Sequence, residues 1–550
     1  MTTAQEFALT AARKYLQSVV FVDDEIYIPV PAAAIKPDIG IAKSAMQIFK
    51  KPMQPTNDDG KKADGKKGSG KKDEGEADGG GLYHPKNLVE SFARERMVCA
   101  LYEPAKDFDT DAESEIFKLC ERADVVILDW EFHKEPGRKV LELVGGLVAA
   151  AQTTVPHHVR LCAIYTSTPN LKHVAQQIYD HLHGQKLDVK TDGEFNLNAG
   201  SSRIIVLGKP STGRPTDQAK AAQVAEKDLA QRIIREFALM HEGILPSMAL
   251  HGLASVRTNT KKILDKFRQD MDGAFLAHRG LILPGDDAFE QIPELLAEEA
   301  LAVMVDNRLD QDAAKKLAEK TIDSLGIKAV WKTKKGDPPE PGKLAMQLLK
   351  EGPDKVRKKV DLDPIVLKGL HDEMDAKKAS AKERLAALYT SRTQYGSART
   401  LEFGTIVRHV SEEGGATYSI CLMPLCDCVR LKKDDWYRFP FWELRIDNKA
   451  QSSKGIVVEL PKEEGFVELF SMGKPRDQLW LDDFQAGATR TVTAVVDQHK
   501  FLFNGKAKQL EWVAQLKPGH VQRIAQDIGT SFSRVGVLEA EWLRLKADRQ

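Results

Sequence analysis

The sequence has few cysteines, no long apolar run and no excess of charge of either sign. Six cysteines among 550 residues are too few for a disulfide framework, which predicts a reduced, cytoplasmic protein. No run of about 18 apolar residues occurs, so we expect no transmembrane helix and no membrane partner. The 80 basic and 80 acidic residues cancel, and this balance gives no global electrostatic reason to expect a nucleic-acid partner.

Large apolar side chains are almost absent from one stretch, residues 51–81. Lysine pairs alternate there with acids and glycines. Such a segment cannot bury enough apolar surface to offset the entropy lost on ordering it. We therefore expect a disordered insertion at residues 51–81.

Three regions of the remaining chain differ in pattern. Residues 1–215 alternate helical segments with strands that are continuous apolar runs, which is typical of a parallel sheet covered on both faces. Residues 216–395 have mainly helical patterns, and residues 396–550 contain short strands separated by turn signals, followed by helical segments. The sequence therefore predicts an α/β domain, an α-helical region and a mainly β domain with C-terminal helices.

Charged and hydroxyl side chains follow four of the predicted strands in the first region. In chain order, they are Asp23 and Asp24, then Asp129, Thr166 and Lys209. Ligands of an open parallel sheet bind beyond the carboxyl ends of its strands, so we expect these side chains to share one site. We also expect the strand before Asp23 to be the central strand of the sheet.

The predicted site combines acids, a hydroxyl and an ammonium, and this combination suits phosphoryl transfer. Clustered carboxylates repel one another unless a cation lies among them, and oxygen ligands suit Mg²⁺. A carboxylate can also act as the nucleophile that accepts a phosphoryl group, while Mg²⁺ and a lysine stabilise its charge. The alternative is an α/β domain with solvated acids at its strand ends.

The order of VDDE, LDW, a Thr-Ser pair and KP resembles the receiver domain of two-component response regulators over residues 18–211. The resemblance implies a flavodoxin-like, doubly wound parallel sheet and a histidine kinase as the partner. It implies that Asp129 accepts the phosphoryl group, that Thr166 is the switch hydroxyl and that Lys209 contacts the phosphoryl oxygen. It assigns the cofactor Mg²⁺ to Asp23, Asp24, Asp129 and the backbone carbonyl of Glu131.

The chain also departs from the receiver pattern. Residues 26–81 follow the acid pair where a receiver would begin its first helix, and a polar stretch, residues 184–202, separates the last two strands. The family's switch aromatic, which precedes the lysine, is replaced by Val206. This replacement puts the usual threonine–aromatic movement in doubt.

Two other patterns have a functional and a structural interpretation. His241 and Glu242, with Pro246 behind them, resemble the phosphohistidine motif of sensor kinases, but no glycine-rich ATP-binding boxes follow. We favour an ordinary helical histidine before a proline kink. A run of three cysteines, Cys421, Cys426 and Cys428, would suit zinc, but no fourth ligand is evident. Buried free thiols are the better interpretation.

The final helical segment carries the basic residues Arg523, Arg534, Arg544 and Lys546. Its apolar spacing favours a packed helix, and it has no helix-turn-helix pattern, so DNA binding is not expected. The later regions contain no Walker, GxSxG or HExxH motif, so an enzymatic output is not expected either. A DNA-binding response regulator and an enzyme with an unrecognised site near Asp427 or His499 stay open as alternatives.

The layout of the whole chain resembles receiver proteins of anti-phage defence operons, in particular the component of Detocs-type systems that draws off stray phosphate. The resemblance implies a phosphate sink without an effector enzyme. It also implies other components of a defence operon as partners.

Overall fold

The computed structural model describes residues 3–26, 85–153, 160–210, 216–281, 287–306, 311–324, 341–357, 381–410, 415–446, 455–461, 465–471, 475–498 and 500–532. The insertion that we expect to be disordered, residues 51–81, lies outside the described residues. The chain divides into two compact units, one of Met1–Ala277 with Phe289–Lys320 and the other of His278–Ala288 with Thr321–Gln550. The division into three regions stays a prediction.

The first unit is built on a mixed sheet of seven strands. These strands are β1 (Ser18–Val22), β2 (Val98–Tyr102), β3 (Val125–Leu128), β6 (Arg160–Thr166), β7 (Val189–Thr191), β8 (Asn196–Ala199) and β9 (Ser202–Gly208). Two further short strands, β4 (Glu131–Phe132) and β5 (Glu135–Pro136), form a separate hairpin.

Five strands of the sheet are parallel, in the order β2-β1-β3-β6-β9. This doubly wound order confirms the predicted flavodoxin-like fold class. The prediction that β1 is the central strand was wrong, because β1 lies beside the edge strand β2 and β3 is the middle of the parallel five. Apolar runs predict where strands lie in a sequence but not which strands are neighbours in the sheet.

Strand β3 shows why the parallel strands are continuous apolar runs in the sequence. Val126 and Leu128 belong to one hydrophobic core, whereas Val125 and Ile127 belong to the core on the opposite face. Successive side chains of a strand point to opposite faces, and here helices cover both. Every position of the strand is therefore buried and apolar.

The helices up to residue 324 are α1 (Thr3–Tyr15), α2 (Pro85–Arg94), α3 (Glu115–Glu121), α4 (Arg138–Thr153), α5 (Leu171–Gly184), α6 (Asp217–Ala221), α7 (Glu226–Met240), α8 (Ile244–Thr258), α9 (Thr260–Leu264), α10 (Asp272–Leu281), α11 (Asp287–Asp306) and α12 (Gln311–Ser324). A 3₁₀ turn, Gln269–Met271, precedes α10. Helices α1, α2 and α7 contribute to one core of the sheet, and α3, α4 and α5 contribute to the other.

The polar stretch before the last parallel strand, which we expect to be an excursion, contains two strands. Strands β7 and β8 form an antiparallel hairpin that extends the sheet from β9. Leu197 and Ala199 alternate with asparagines and are buried, so β8 has the period-two pattern of a strand with one buried face. Its polar composition concealed this pattern.

The second unit is mainly β. Its strands are β10 (Ser391–Arg392), β11 (Thr405–Val410), β12 (Ala416–Cys421), β13 (Trp436–Leu444), β14 (Ile456–Glu459), β15 (Phe466–Leu469), β16 (Leu479–Gln485), β17 (Val495–Asp497), β18 (Lys500–Asn504) and β19 (Gln509–Leu516). The main sheet has the order β16-β13-β12-β11-β19-β18-β17, with β10 paired to β19. Its strands are antiparallel, and β14 and β15 form a separate hairpin. This sheet confirms the predicted mainly β C-terminal region.

The remaining helices lie before, between and after these strands. They are α13 (Pro341–Glu351), α14 (Pro353–Arg357), α15 (Ala381–Thr390), α16 (Leu425–Cys428), α17 (Pro475–Gln478) and α18 (Pro518–Phe532). Helix α18 buries Val521, Ile524 and Ile528 in a core that it shares with the sheet, as its apolar spacing indicates. Arg534, Arg544 and Lys546 lie outside the described residues. Within the described part of the chain, no helix combines the length and the apolarity that a bilayer span requires.

Candidate functional site

The two aspartates that follow β1 and β3 lie side by side. Val22 and Leu128, the last residues of these strands, are partners in the parallel register. The backbone N–H of Asp129 donates to the carbonyl of Val22 at 3.0 Å, which places Asp129 next to Asp23. The strand order reverses between β1 and β3, and this is the position where open α/β sheets bind ligands.

Three carboxylates form a tight cluster at this edge of the sheet. Asp23, Asp24 and Asp129 each offer an oxygen, and these oxygens lie within 4.8 Å of one another. No other three His, Cys, Asp or Glu side chains in the described part of the chain come together in this way. Local backbone amides orient the cluster, because Glu25 N–H donates to Asp23 Oδ1 at 2.8 Å and Trp130 N–H donates to Asp129 Oδ1 at 2.7 Å.

Lys209 supplies a positive charge to the cluster. Its Nζ lies 2.9 Å from Oδ2 of Asp129 and 3.3 Å from Oδ2 of Asp23. One ammonium against three carboxylates leaves an excess of negative charge in a largely buried place. The donor set, oxygen atoms with uncompensated charge, therefore fits a hard divalent cation such as Mg²⁺.

Thr166 lies at the same edge, next to the lysine. It pairs with Gly208 in the register of β6 and β9, and its carbonyl accepts from the backbone N–H of Lys209 at 2.8 Å. The Thr166 side chain is buried. Its Oγ1 lies 3.0 Å from Oγ1 of Thr168 and accepts from Thr168 N–H at 3.1 Å.

The aromatic ring beside the lysine comes from β6. Lys209 Nζ lies 5.9 Å from the ring centroid of Tyr165, which precedes Thr166. Val206, which replaces the family's aromatic residue, is buried in the core on the opposite face of the sheet from Tyr165. Because the two side chains lie on opposite faces of the sheet, Tyr165 does not occupy the place of the aromatic residue that Val206 replaces.

Glu131 begins the short β4–β5 hairpin, and its side chain is exposed. Gly137 N–H donates to the carbonyl of Trp130 at 2.8 Å, so the next pair of the hairpin, Glu131 and Pro136, is a non-hydrogen-bonded pair. Pro136 has no N–H to donate in any case. The Glu131 carbonyl therefore points away from β5, and its role as a metal ligand stays a prediction.

Burial changes the acidity of the acceptor candidate. It raises the pKa of the Asp129 carboxyl to about 7, although the Lys209 ammonium lowers this pKa and the Asp23 charge raises it further. Burial therefore favours the protonated form of Asp129 when no cation is bound. A bound divalent cation favours the ionised carboxylate, which is the nucleophilic form.

His133, in the turn of the β4–β5 hairpin, also reaches the acid cluster. Its backbone N–H donates to Asp24 Oδ2 at 2.7 Å, and its Nδ1 lies 3.3 Å from the same oxygen. Its Nε2 lies 3.1 Å from the carbonyl oxygen of Pro104. Sequence reasoning missed this residue, because a lone histidine after the LDW motif matches no known pattern.

The kinase-like histidine motif spans the end of one helix and the start of another. His241 caps the C-terminal end of α7, and its ring lies 5.1 Å from that of Phe237. Gly243, with φ of +138°, separates α7 from α8, and Pro246 lies in the first turn of α8. The expected proline kink was therefore wrong, because the glycine ends the first helix before the proline is reached.

The three cysteines of the run in the second unit differ in their exposure to solvent. Cys421 and Cys428 are buried, whereas Cys426 is exposed. Burial raises the pKa of the Cys421 and Cys428 thiols, which disfavours the thiolate form that zinc requires. Asp427 lies in α16 between them, and His499 lies outside the described residues.

Comparison with known protein families agrees with this geometry. Residues 15–214 match the family model of the response receiver domain, and the match includes the acid cluster, Thr166 and Lys209. The comparisons with curated proteins and with solved structures gave no match. From its sheet topology, its acid cluster and this family match, we conclude that residues 15–214 form a response receiver domain.

Proposed function

We propose that this receiver domain accepts a phosphoryl group on Asp129 from a histidine kinase, with Mg²⁺ as cofactor. One observation carries the proposal. The Lys209 ammonium contacts both Asp129 and Asp23, in a cluster in which three carboxylates each offer an oxygen within 4.8 Å of the other two.

The burial of the two contacted acids suggests different roles for them. The Asp23 side chain is 0% exposed, whereas that of Asp129 is 13% exposed. A phosphodonor can therefore reach Asp129, which we assign as the nucleophile. Asp129 is also assigned, with Asp23, Asp24 and the Glu131 carbonyl, to hold Mg²⁺, which when bound supplies positive charge to the phosphoryl oxygens.

In the proposed reaction, a carboxylate oxygen of Asp129 attacks the phosphorus of a phosphohistidine. An O–P bond forms, the P–N bond breaks, and its electron pair leaves with the imidazole. Lys209 exchanges its contact with the carboxylate for one with a phosphoryl oxygen, and Thr166 donates its hydroxyl to another. The resulting acyl phosphate reverts to the aspartate when water attacks it.

A small phosphodonor tests the reaction without the kinase. The full chain is incubated with Mg²⁺ and acetyl phosphate, alongside Asp129→Asn, and intact mass is recorded before and after hydroxylamine treatment. We expect wild type to gain one phosphoryl group that hydroxylamine removes, and Asp129→Asn to gain none. A label that resists hydroxylamine, or equal labelling of both proteins, would overturn the proposal.

We further propose that the phosphorylated domain serves as a phosphate sink in an anti-phage defence system. This proposal rests on the resemblance of the chain's layout to the buffering component of Detocs-type systems. It requires that this protein compete with a second receiver for one kinase. The test is a phosphotransfer assay with both receivers and the kinase from the same operon, in which wild type, but not Asp129→Asn, should lower phosphorylation of the second receiver.

A further inference from the structure

We infer that His133 is a positioning residue, which orients Asp24 for the cation. The inference rests on the proposed Mg²⁺-dependent function and names a residue outside the ligand set given above. It follows from three contacts of His133, from the backbone of its turn and from the side chains that hold the turn in place.

His133 connects the loops that follow three neighbouring strands. Its backbone and ring contact Asp24 after β1, and its Nε2 contacts Pro104 after β2, while the residue itself follows β3. A carbonyl oxygen can only accept, so Nε2 carries the proton that it donates to Pro104. The ring thereby anchors the turn to Pro104 from one side, and the backbone N–H of the turn is the group that donates to the Asp24 carboxylate.

The two carboxylate oxygens of Asp24 differ in their contacts with His133. Oδ2 receives the His133 backbone N–H at 2.7 Å and lies 3.3 Å from its Nδ1. Oδ1 is the oxygen without a contact to His133, and we assign it to the cation. Repulsion from Asp23 and Asp129 would otherwise turn the Asp24 carboxylate away from the cluster.

The turn that carries His133 has a backbone conformation that its residues do not favour. His133 and Lys134 have φ of +50° and +67°. Two consecutive left-handed residues between paired strands make a type I′ turn, for which asparagine and glycine are preferred. The left-handed conformation is strained for a non-glycine residue, and such strain concentrates at functional sites.

Packing below the turn keeps it in this conformation. The buried ring of Phe132 meets that of Phe108 edge to face, with centroids 5.5 Å apart. Directly after β5, Gly137 has φ of +78°, and a Cβ there would lie 2.5 Å from the Trp130 ring. The hairpin is therefore held by its base, and the turn projects His133 onto Asp24.

Removing a residue that orients a metal ligand typically weakens metal affinity by about 10- to 100-fold. The backbone N–H of residue 133 survives any substitution except proline, so only part of this effect belongs to the imidazole. We expect His133→Asn to weaken Mg²⁺ binding about tenfold. Asparagine accepts the left-handed backbone, but its side chain is too short to span from Pro104 to Asp24.

Calorimetric titration of the full-length, metal-free protein with MgCl₂ provides the test. Lys134→Asn is the matched control, because it places the same residue in the same turn at an exposed position. We expect its Mg²⁺ affinity to stay within about twofold of wild type, against the tenfold loss of His133→Asn. At saturating Mg²⁺, labelling of His133→Asn by acetyl phosphate should return to the wild-type rate, because the residue acts through the cation.

The inference would be overturned if wild type and His133→Asn bound Mg²⁺ with equal affinity. It would also be overturned if His133→Asn and Lys134→Asn lost Mg²⁺ affinity equally, since the conformation of the turn would then be the cause. If His133→Asn proves unfolded by circular dichroism, His133→Gly replaces it, since glycine accepts the left-handed backbone without a side chain. A wild-type protein that binds no Mg²⁺ would overturn the proposed function itself. Binding by wild type without any labelling of Asp129 would overturn the phosphoryl transfer but leave the role of His133 intact.

Discussion

The ammonium of Lys209 lies 2.9 Å from the carboxylate of Asp129. The two residues come from the ends of β9 and β3, which are separated in the sheet by β6. Lysine is long enough to cross this intervening strand, and its Nζ also reaches Asp23. The contact joins the proposed acceptor to its charge partner before any phosphoryl group arrives.

Replacing this lysine should impair acceptance of the phosphoryl group. In Lys209→Gln, the charge that develops on the phosphoryl oxygens loses a preorganised cation, and we expect the labelling rate with acetyl phosphate to fall about 100-fold. The rate is measured by intact mass over time at saturating Mg²⁺. Lys220→Gln is the control, since Lys220 is exposed and pairs with Asp217. An unchanged rate in Lys209→Gln would contradict the assigned role.

The raised pKa of Asp129 predicts how stability depends on pH. The folded-state pKa of about 7 lies above the unfolded value of about 3.9. The metal-free domain should therefore lose stability as pH rises from about 4 to about 7, because ionisation is more costly in the folded state. Mg²⁺ binds the ionised form, so it should raise the Tm more at pH 8 than at pH 5.

Scanning calorimetry of wild type with Mg²⁺ and with EDTA at both pH values measures this difference. Asp129→Asn serves as the control, because asparagine does not titrate. In that variant, the shift of Tm that Mg²⁺ causes should be smaller and less dependent on pH. A Mg²⁺ shift in wild type that is the same at both pH values would contradict the assignment of the raised pKa to this carboxyl.

The hydroxyl of Tyr165 should contribute to the stability of the receiver domain. It is buried and donates to the carbonyl of Val224 at 2.7 Å, which ties β6 to the segment before α7. Tyr165→Phe leaves that carbonyl unsatisfied, and we expect a loss of about 1–2 kcal/mol in the free energy of unfolding. Urea denaturation followed by circular dichroism measures the loss.

Tyr179→Phe is the matched control for this substitution, since Tyr179 is half-buried in α5 and stacks on His183. We expect that variant to lie within about 0.5 kcal/mol of wild type. Equal stability of Tyr165→Phe and wild type would mean that the hydroxyl bond contributes nothing.

The strands and acids of the receiver domain could be predicted because their signals are local. A run such as Val125–Leu128 is apolar throughout since it is buried on both faces, and an acid at the end of such a run has to lie at the sheet edge. The hairpin of β7 and β8 could not be predicted in this way. Its three buried residues, Val189, Leu197 and Ala199, are too few among polar neighbours to produce a strand signal.

The sequence by itself determined which side chains stand at the carboxyl ends of the strands, because a parallel sheet brings those ends to one edge. Only the tertiary structure decided how they meet. It placed Lys209 across β6 onto Asp129, and it brought His133 to Asp24, far away in the chain. It also raised the pKa of Asp129 through burial. Contacts, charges and burial of this kind depend on distances between residues that are remote in sequence, and no local pattern encodes them.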